Sequence, residues 1–465
     1  MSHLRNARPG QLIVAAFLTT IVVGTVLLML PLARTGAPAW VLADGSASGL
    51  PATIPVSIGS GAPLSVALFT ATSASSVTGL IVVDTATYWS PFGQVVLLCL
   101  MQLGGLGTMT IAALVAILVA RRLGLAQRSW AAASTGDLHL GDVRDVVVRI
   151  VRWALIAELA AAFVLFVRFL FLGYDTPRAA GHALFLAISA FNNAGFSPYA
   201  DSLMAFSGDP LVILPISALI ITGGLGFPVL RELRTRVLPS RRWSMNTKLV
   251  VLGTCAFIVA GWLAIALAEW NNPDTLGPLS LPHRLLAAFF TAISPRTAGF
   301  NSIDIATQYD VTWVMTDMLM FVGAGPAGTA GGIKITTALV LLYIVWTEVS
   351  GERSVEILGR RLDRAVHRQA ITVITLSAIA VLTVTFAIMI RTAFGLDRAL
   401  FEAVSAFATV GLSTGITPHL PVSIQLVLAA LMFIGRMGPL TIATALALRK
   451  RTRLYEYPKE RPLIG

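Results

Sequence analysis

Thr409-Val410-Gly411-Leu412 is one of four short turns that recur along the chain and decide its fold. Each turn follows a short amphipathic segment and precedes an apolar span. The other three turns read Val77-Thr78-Gly79-Leu80, Asn193-Ala194-Gly195-Phe196 and Thr297-Ala298-Gly299-Phe300. Their glycines lie 116, 104 and 112 residues apart, which is typical of tandem structural repeats.

The composition indicates a membrane protein with several spans. The chain has 465 residues, of which 56% are hydrophobic and 12% charged, whereas a soluble domain carries roughly 25% charged residues. Eight apolar runs reach the roughly 20 residues that are needed to cross hydrocarbon. They lie near 11–33, 92–120, 146–172, 210–230, 247–268, 311–347, 369–394 and 423–448. We therefore predict an all-α membrane fold.

The formal net charge of +11 reflects membrane topology and not nucleic-acid binding. With the N-terminus in the cytoplasm, 25 of the 34 Lys and Arg residues fall on the inner side, five outside and four within membrane segments. Cytoplasmic loops carry such an excess of basic residues. We expect a multi-pass protein of the bacterial plasma membrane with both termini cytoplasmic. Two cysteines within apolar spans and six scattered histidines argue against a disulfide framework, a zinc site or a metal enzyme.

Between the two spans of each pair lies a segment that is too short to cross. These segments, near 63–75, 179–191, 282–294 and 397–407, are interpreted as half-helices that enter from outside and stop within the membrane. Each half-helix directs the negative end of its dipole inward, which favours a cation there. The chain then returns outward with its carbonyls toward one axis, as in rings that replace the hydration shell of an ion. The alternative is that the glycines only permit close helix packing.

The pattern predicts four repeats, each with two spans, one half-helix and one turn, around a single pore. Their predicted bounds are 11–120 with turn 77–80, 146–232 with turn 193–196, 247–347 with turn 297–300, and 369–450 with turn 409–412.

At these turns the chain resembles the Trk/Ktr/HKT superfamily of potassium transporters, and within it the shorter, KtrB-type membrane subunits. The turn at 409–412 is similar to the Thr-Val-Gly signature of potassium channels, and the stretches 295–300 and 435–441 fit the superfamily as well. The resemblance implies potassium uptake without a cofactor, a homodimer in membrane lipid, and a KtrA-like nucleotide-binding ring in the cytosol. It leaves sodium either as an activator or as a co-transported ion.

The resemblance also implies a selectivity filter in which potassium binds at Gly79, Gly195, Gly299 and Gly411. The two residues before each glycine complete the implied ion-binding set: Val77, Thr78, Asn193, Ala194, Thr297, Ala298, Thr409 and Val410. In related plant proteins a serine at the first filter position accompanies sodium transport, so Gly79 favours potassium. The aromatic–glycine pair of channels is replaced by Leu80, Phe196, Phe300 and Leu412. This departure suggests fewer ion sites and weaker discrimination.

Residues 323–328, Gly-Ala-Gly-Pro-Ala-Gly, match the dinucleotide-binding fingerprint literally, but the strand–turn–helix context that this motif needs is absent from the sequence. Five glycines and a proline within ten residues instead predict a break in the second helix of repeat 3. The superfamily has an intramembrane gating loop at the matching position; a passive kink is the alternative. The predicted gate comprises Gly323, Gly325, Gly328, Thr329, Gly331, Gly332, Lys334 and, from repeat 4, Arg436.

Charged residues at membrane depth are candidates for function. Arg436 is predicted either to face the ion pathway as an electrostatic barrier or to hold the fold. Lys334 is predicted to hold the broken segment through carbonyl or carboxylate contacts. Arg296 is predicted to brace the third turn, with Glu402 as a candidate partner. Asp84 and Asp304 either concentrate cations at the outer mouth or are ordinary solvated loop residues.

Two other classes of protein fit the sequence less well than a channel-like subunit. An alternating-access secondary transporter also contains Gly/Pro-broken helices, but such folds usually have inverted repeats, whereas these four repeats run in the same direction. A membrane-embedded enzyme needs clustered His, Asp, Glu or Ser side chains, and the sequence shows no such cluster.

Overall fold

The computed structural model describes residues 9–35, 61–122, 143–235, 243–351 and 355–438. Repeat 1 contains α1 (Pro9–Leu28), α2 (Leu64–Ser75) and α3 (Pro91–Arg122). Repeat 2 contains α4 (Val143–Phe171), α5 (Thr176–Asn192), α6 (Pro210–Leu225) and α7 (Phe227–Thr235). Repeat 3 contains α8 (Met245–Glu269), α9 (Leu281–Ile293), α10 (Asp310–Phe321) and α11 (Ile335–Val349). Repeat 4 contains α12 (Arg364–Arg391), α13 (Leu396–Ala408) and α14 (Val422–Met437). A short antiparallel pair, β1 (Glu356–Ile357) and β2 (Arg360–Arg361), precedes α12.

The four predicted half-helices are present as α2, α5, α9 and α13. Proline begins three of them: Pro63 precedes α2, while Pro177 and Pro282 lie in the first turns of α5 and α9. Proline suits these positions because the first amide groups of a helix have no partner within it. Asn193 ends α5 and Thr409 ends α13, both in the left-handed conformation. The half-helices α5 and α13 therefore stop where their turns begin, whereas α2 ends at Ser75 and α9 at Ile293, shortly before their turns.

The four repeats close into a circle. The second helix of each repeat packs against the half-helix of the next: α3 against α5, α6 against α9, and α10 against α13. The helix α14 then packs against α2, which returns the circle to repeat 1. The largest cluster of buried apolar side chains includes residues from all four repeats, most of them from repeats 1 and 4, and the next cluster includes residues from repeats 1, 2 and 3. The fold is thus four like-oriented helical repeats around one central axis.

The second helix of repeat 3 is broken, as predicted: α10 ends at Phe321 and α11 begins at Ile335. We call residues 322–334 the break segment. The second span of repeat 2, predicted as one run over 210–230, is also broken, and that expectation was wrong. It bends by 102° between α6 and α7. Gly226 adopts a φ of +87° at the bend, a conformation that glycine permits at little cost, and Pro228 starts the new helix.

Four helices of the described residues are long and apolar enough to span a membrane alone: Pro91–Thr110, Asp145–Phe171, Met245–Glu269 and Ala365–Arg391. The bent pair α6 and α7 makes a fifth candidate. The other spans of the eight expected are the broken pair α10 and α11 and the shorter helices α1 and α14. The rest of the last predicted span, 439–448, and both chain termini lie outside the described residues, as does the end of repeat 4.

Candidate functional site

The four glycine turns meet at the central axis. A Cβ atom built on Gly79 would lie 2.5 Å from the carbonyl oxygen of Ala194, and one built on Gly195 would lie 2.9 Å from that of Ala298. One built on Gly299 would lie 2.3 Å from the oxygen of Val410, and one on Gly411 would lie 2.1 Å from that of Thr78. Only glycine fits where backbone approaches so closely. The turns therefore form a closed ring in chain order, which we call the glycine ring.

The backbone of each turn alternates in handedness. The first residues have positive φ angles: Val77 at 57°, Asn193 at 59°, Thr297 at 72° and Thr409 at 52°. The ring glycines have φ angles of 71° to 93°, while the residue between them is not left-handed in any turn. A left-handed β-branched residue costs about 1–3 kcal/mol, and such strain is typical of functional sites. Three of the four turns store this strain in Val or Thr.

The amide of the middle residue in each turn points away from the axis. Thr78, Ala194, Ala298 and Val410 donate their backbone N–H to carbonyls of Ser73, Ser189, Ser294 and Ser405, over 2.7 to 2.9 Å. The carbonyls of the turns have no such partners: within the described residues, none of the twelve carbonyls in 77–79, 193–195, 297–299 and 409–411 accepts a hydrogen bond. Buried carbonyls are nearly always paired. Twelve unpaired carbonyls at the inner ends of four helices are suited to a cation.

The serines that anchor the turns were missed in the sequence. In repeats 1 and 4 the hydroxyls of Ser73 and Ser405 accept from the ring amides of Gly79 and Gly411, each over 3.1 Å. In repeats 2 and 3 the hydroxyls of Ser189 and Ser294 donate instead to the carbonyls of Phe196 and Phe300, over 2.7 and 2.6 Å. The recurring serine five or six residues before each ring glycine is the signal that could have revealed them.

A second set of glycines fixes the depth of the half-helices and was also missed. A Cβ on Gly104 would lie 2.0 Å from the carbonyl oxygen of Ser75, and one on Gly223 would lie 2.0 Å from that of Phe191. In repeat 4 a Cβ on Gly435 would lie 1.7 Å from the oxygen of Phe407. These second helices thus press their backbone against the last turn of their own half-helix.

The two helix breaks satisfy each other's backbone groups. The last carbonyls of a helix lack partners within it, and those of Gly223 and Gly224 at the end of α6 accept from Thr329 and Gly325 of the break segment, over 3.1 and 2.9 Å. Within the segment, Gly323 donates to Ile333 over 2.8 Å, and Ile335 donates to Ala324 over 3.1 Å. Such pairing is what permits irregular backbone at membrane depth.

The break segment lies directly against the inner ends of half-helices α5 and α13. The Thr329 hydroxyl donates to the carbonyl of Phe191 over 3.2 Å. A Cβ on Gly331 would lie 2.0 Å from Oγ1 of Thr409, and one on Gly332 would lie 3.1 Å from Cα of Ala408. Gly328 packs against the carbonyl of Gly224. Of the predicted gate residues, Gly331 and Gly332 therefore lie beside the fourth turn of the glycine ring.

Two basic residues hold the break segment. Lys334 donates from Nζ to the carbonyl of Ala330 over 2.5 Å, so its predicted carbonyl contact lies within the segment itself. Arg436 donates to the carbonyl of Thr329. Its other terminal nitrogen donates to the carbonyl of Gly104 over 2.8 Å and to the Thr108 hydroxyl over 2.9 Å. Arg436 therefore ties the segment to α3 of repeat 1.

The predicted pairing of Arg296 with Glu402 was wrong. Arg296 donates to the carbonyl and hydroxyl of Thr254 on α8, each over 3.3 Å. Glu402 instead binds the chain just after the fourth turn, where it accepts from Ser413, Thr414 and Thr417. The two residues belong to different half-helix environments, which their positions along the sequence do not reveal.

Asp84 and Asp304 act as helix caps after the first and third turns. Asp84 accepts from the amide of Ala86 over 3.1 Å, and Asp304 accepts from that of Ala306 over 2.9 Å. Asp84 is buried. Each carboxylate satisfies an amide at the start of a short helix. Because Asp84 is buried, it is not an ordinary solvated loop residue, whereas Asp304 is exposed.

Among the described residues no group of three or more His, Cys, Asp or Glu side chains is placed to hold a metal ion. The oxygen donors of the site are the ring carbonyls. Carbonyl rings bind alkali cations by replacing their water, so the site is suited to passing a cation and not to covalent chemistry.

Comparison with known proteins agrees with this geometry. The profile of the family described as "TrkH: Cation transport protein" matches residues 10–453. The chain is similar to the "Ktr system potassium uptake protein B" of Bacillus subtilis, at 38% identity over 98% of this chain and 97% of that protein. The protein of the same name from Vibrio alginolyticus is also 38% identical, over 89% of this chain and 90% of its own length.

Two further similarities bear on function and fold. The "Potassium/sodium uptake protein NtpJ" of Enterococcus hirae is 31% identical over 99% of this chain and 98% of its own. The crystal structure of the potassium transporter TrkH from Vibrio parahaemolyticus superposes with a TM-score of 0.66 at 15% identity, covering 83% of this chain and 79% of that one. This last likeness concerns the fold. On the family profile and the full-length relatives, the chain is a membrane transporter and not an enzyme, and it belongs to the TrkH family of cation transport proteins.

Proposed function

We propose that this protein takes up potassium ions, with the glycine ring as its selectivity filter. The observation that carries the proposal is the set of twelve ring carbonyls without a hydrogen-bond partner among the described residues. A dehydrated cation on the axis would supply the missing partner, and the four half-helix dipoles would stabilise it. The names of the relatives in Bacillus and Vibrio describe potassium uptake, which supports potassium as the ion.

We propose that the break segment is the gate beneath this filter and that Arg436 holds it closed. The segment contacts the inner ends of two half-helices and receives its tether from repeat 4. Opening requires the loss of the Arg436 contacts and of the two backbone bonds to α6, both of which can re-form. A segment held by a few exchangeable hydrogen bonds is suited to two discrete positions.

The proposal also includes the partners with which this chain assembles. "Ktr system" describes relatives that act with a partner subunit, and we propose a KtrA-like nucleotide-binding ring on the cytosolic side together with a homodimer of this chain. The excess of basic residues in the loops assigned to the inner side supports a bacterial plasma-membrane protein with both termini in the cytoplasm. The printed name of the Enterococcus relative includes sodium, which supports a sodium dependence of uptake.

The proposal is tested by potassium uptake in cells that lack their own potassium transporters. Gly79→Ser is expected to reduce potassium preference over sodium, because its side chain would collide with the Ala194 carbonyl. Gly181→Ser is the matched control: it lies in half-helix α5, and a Cβ there meets nothing within 4 Å. If Gly79→Ser retains wild-type preference at equal protein levels, the ring is not the filter.

A further inference from the structure

A buried polar network lies at the end of half-helix α5, beside the second turn of the glycine ring. Glu158 of α4 exposes 2% of its surface and forms no ion pair among the described residues. Its two carboxylate oxygens accept from Nε2 of Gln102 on α3, over 3.1 and 3.0 Å. Nδ2 of Asn192, the last residue of α5, donates to Oε1 of Gln102 over 2.6 Å and to Oε1 of Glu158 over 3.3 Å. Two helices and one half-helix therefore meet at a single carboxylate.

Glu158 fixes the direction of these hydrogen bonds. An ionised carboxylate only accepts, whereas an amide donates from its nitrogen and accepts at its oxygen. Gln102 must therefore turn its nitrogen toward Glu158, which leaves its oxygen for Asn192. Nδ2 of Asn192 also donates to the carbonyl of Ile188 in α5, over 2.9 Å. A group that can only accept thus gives the Asn192 amide a single orientation.

The Asn192 side chain is also enclosed by the backbone of α3. A Cβ on Gly105 would lie 1.9 Å from Oδ1 of Asn192, so that only glycine fits there. The next residue along the chain is Asn193, whose φ of 59° begins the second turn. A displacement of Asn192 is therefore passed directly to the first residue of the turn.

The residues that precede the four turns differ in how they are anchored. Asn192 and Arg296 are each bonded to the first helix of their own repeat, Arg296 through Thr254. In repeat 1 the hydroxyl of Ser76 donates within its own half-helix, and in repeat 4 the residue is Ala408, which has no polar side chain. Among these four positions, all within the described residues, only Asn192 has a carboxylate as its partner.

We propose that Glu158 is a positioning residue of the glycine ring: through Gln102 and Asn192 it holds the second turn in the geometry that prefers potassium over sodium. The inference rests on the proposed filter. Glu158 bonds to Gln102 and Asn192 and not to the ring, so its effect on the ion is indirect. A turn that is free to shift can close around the smaller sodium ion, which reduces the difference between the two ions.

Competition of potassium and sodium for rubidium uptake into proteoliposomes tests the inference. Glu158→Ala is expected to lower the preference for potassium several-fold. Glu158→Gln is expected to lower it less, because the amide oxygen still accepts but the direction of the network is no longer fixed; this variant keeps the shape of the side chain and serves if the alanine variant does not fold. Glu269→Ala is the matched control. Glu269 is equally buried and accepts from Asn272, Thr275, Tyr309 and Thr312, none of which belongs to the ring. We expect it to lower the melting temperature and to leave the preference unchanged.

A double-mutant cycle on the same ratio tests the route through Asn192. In the Asn192→Ala background, Glu158→Ala is expected to cause little further change in preference. Equal changes in both backgrounds would overturn this route. Equal losses in Glu158→Gln and Glu158→Ala would overturn the positioning role, because the charge alone would then act on the ion.

The outcome for the ring glycines separates the inference from the proposed filter. Wild-type preference in folded Glu158→Ala, together with a reduced preference in Gly79→Ser, would overturn the inference and leave the filter intact. Wild-type preference in both variants would contradict the filter and the inference together.

Discussion

Gly411 and Thr78 close the glycine ring: a Cβ on Gly411 would lie 2.1 Å from the carbonyl oxygen of Thr78, although 333 positions separate the two residues in the chain. This contact joins the last repeat to the first. It makes the four turns one structure, so that a change in any one of them is transmitted to its neighbours. The consequences can be measured at the ring, at the gate and at the contacts that support both.

The contacts of Arg436 distinguish a tether from an electrostatic barrier. Its guanidinium binds Thr329, Gly104 and Thr108 at the same time. The compact ammonium of a lysine cannot make all three contacts. We expect Arg436→Lys to raise potassium flux almost as much as Arg436→Ala. Loss of one charge-assisted hydrogen bond is worth about 1.5–3 kcal/mol, or roughly a ten- to hundredfold change in the closed-to-open ratio. Potassium flux into proteoliposomes that contain each variant measures this change in the closed-to-open ratio. Wild-type flux in Arg436→Lys would favour the barrier.

Deletion of residues 325–331 is expected to raise ion flux and to weaken control by a cytosolic partner. The deletion removes the part of the break segment that contacts α6 and half-helix α13. Since it also frees the carbonyls of Gly223 and Gly224, the milder Thr329→Val serves as a second variant. It removes only the hydroxyl bond to Phe191, and a smaller rise in flux is expected. Unchanged flux in both well-folded variants would contradict a gating role.

Two glycines of α3 provide a matched test of half-helix packing. A Cβ on Gly104 collides with the Ser75 carbonyl, whereas a Cβ on Gly107 meets nothing within 4 Å. We expect Gly104→Ala to destabilise the protein by about 1–3 kcal/mol through overpacking. Gly107→Ala is expected to stabilise it by about 0.5–1 kcal/mol, because alanine favours the helix. Thermal unfolding in detergent gives both values. If Gly104→Ala and Gly107→Ala had the same melting temperature, Gly104 would not be the site where α3 supports the half-helix.

The anchoring serines are expected to differ between repeats. Ser405→Ala deprives the Gly411 amide of its acceptor, so this amide can turn toward the axis and oppose a cation. Ser189→Ala removes only a donor to the carbonyl of Phe196. We therefore expect Ser405→Ala to reduce potassium preference several-fold more than Ser189→Ala, as measured by competition between potassium and sodium for uptake. A larger loss of potassium preference in Ser189→Ala than in Ser405→Ala would contradict this difference between the two serines.

The main features of the fold could be predicted because glycine and apolar length are local signals. The half-helices and the break at 322–334 follow from spacing, from dipoles and from five glycines beside a proline. The sequence did not distinguish the bend at Gly226 from a glycine that only permits close packing. Gly226 lies against the break segment, where a Cβ would meet the carbonyl of Pro326 at 2.4 Å. That contact joins residues of different repeats.

The charged residues were harder to place than the glycines. Arg296, Glu402 and Arg436 all lie at membrane depth, but their partners depend on the rotation of neighbouring helices about their axes. Arg296 faces Thr254 on α8, while Glu402 faces the chain after its own turn. The position of a charged residue in the sequence therefore identifies it as a candidate for a functional or structural role, but does not identify its partners.

The central claim is that the glycine ring selects potassium, and the most direct measurement is uptake of radioactive rubidium into proteoliposomes with potassium or sodium as competitor. For the wild type we predict that potassium competes much more strongly than sodium. Gly79→Ala, Gly195→Ala, Gly299→Ala and Gly411→Ala, made singly, should each reduce this difference, because each added Cβ meets a neighbouring carbonyl within 2.9 Å. Folded variants that all keep the wild-type ratio of competition would contradict the account.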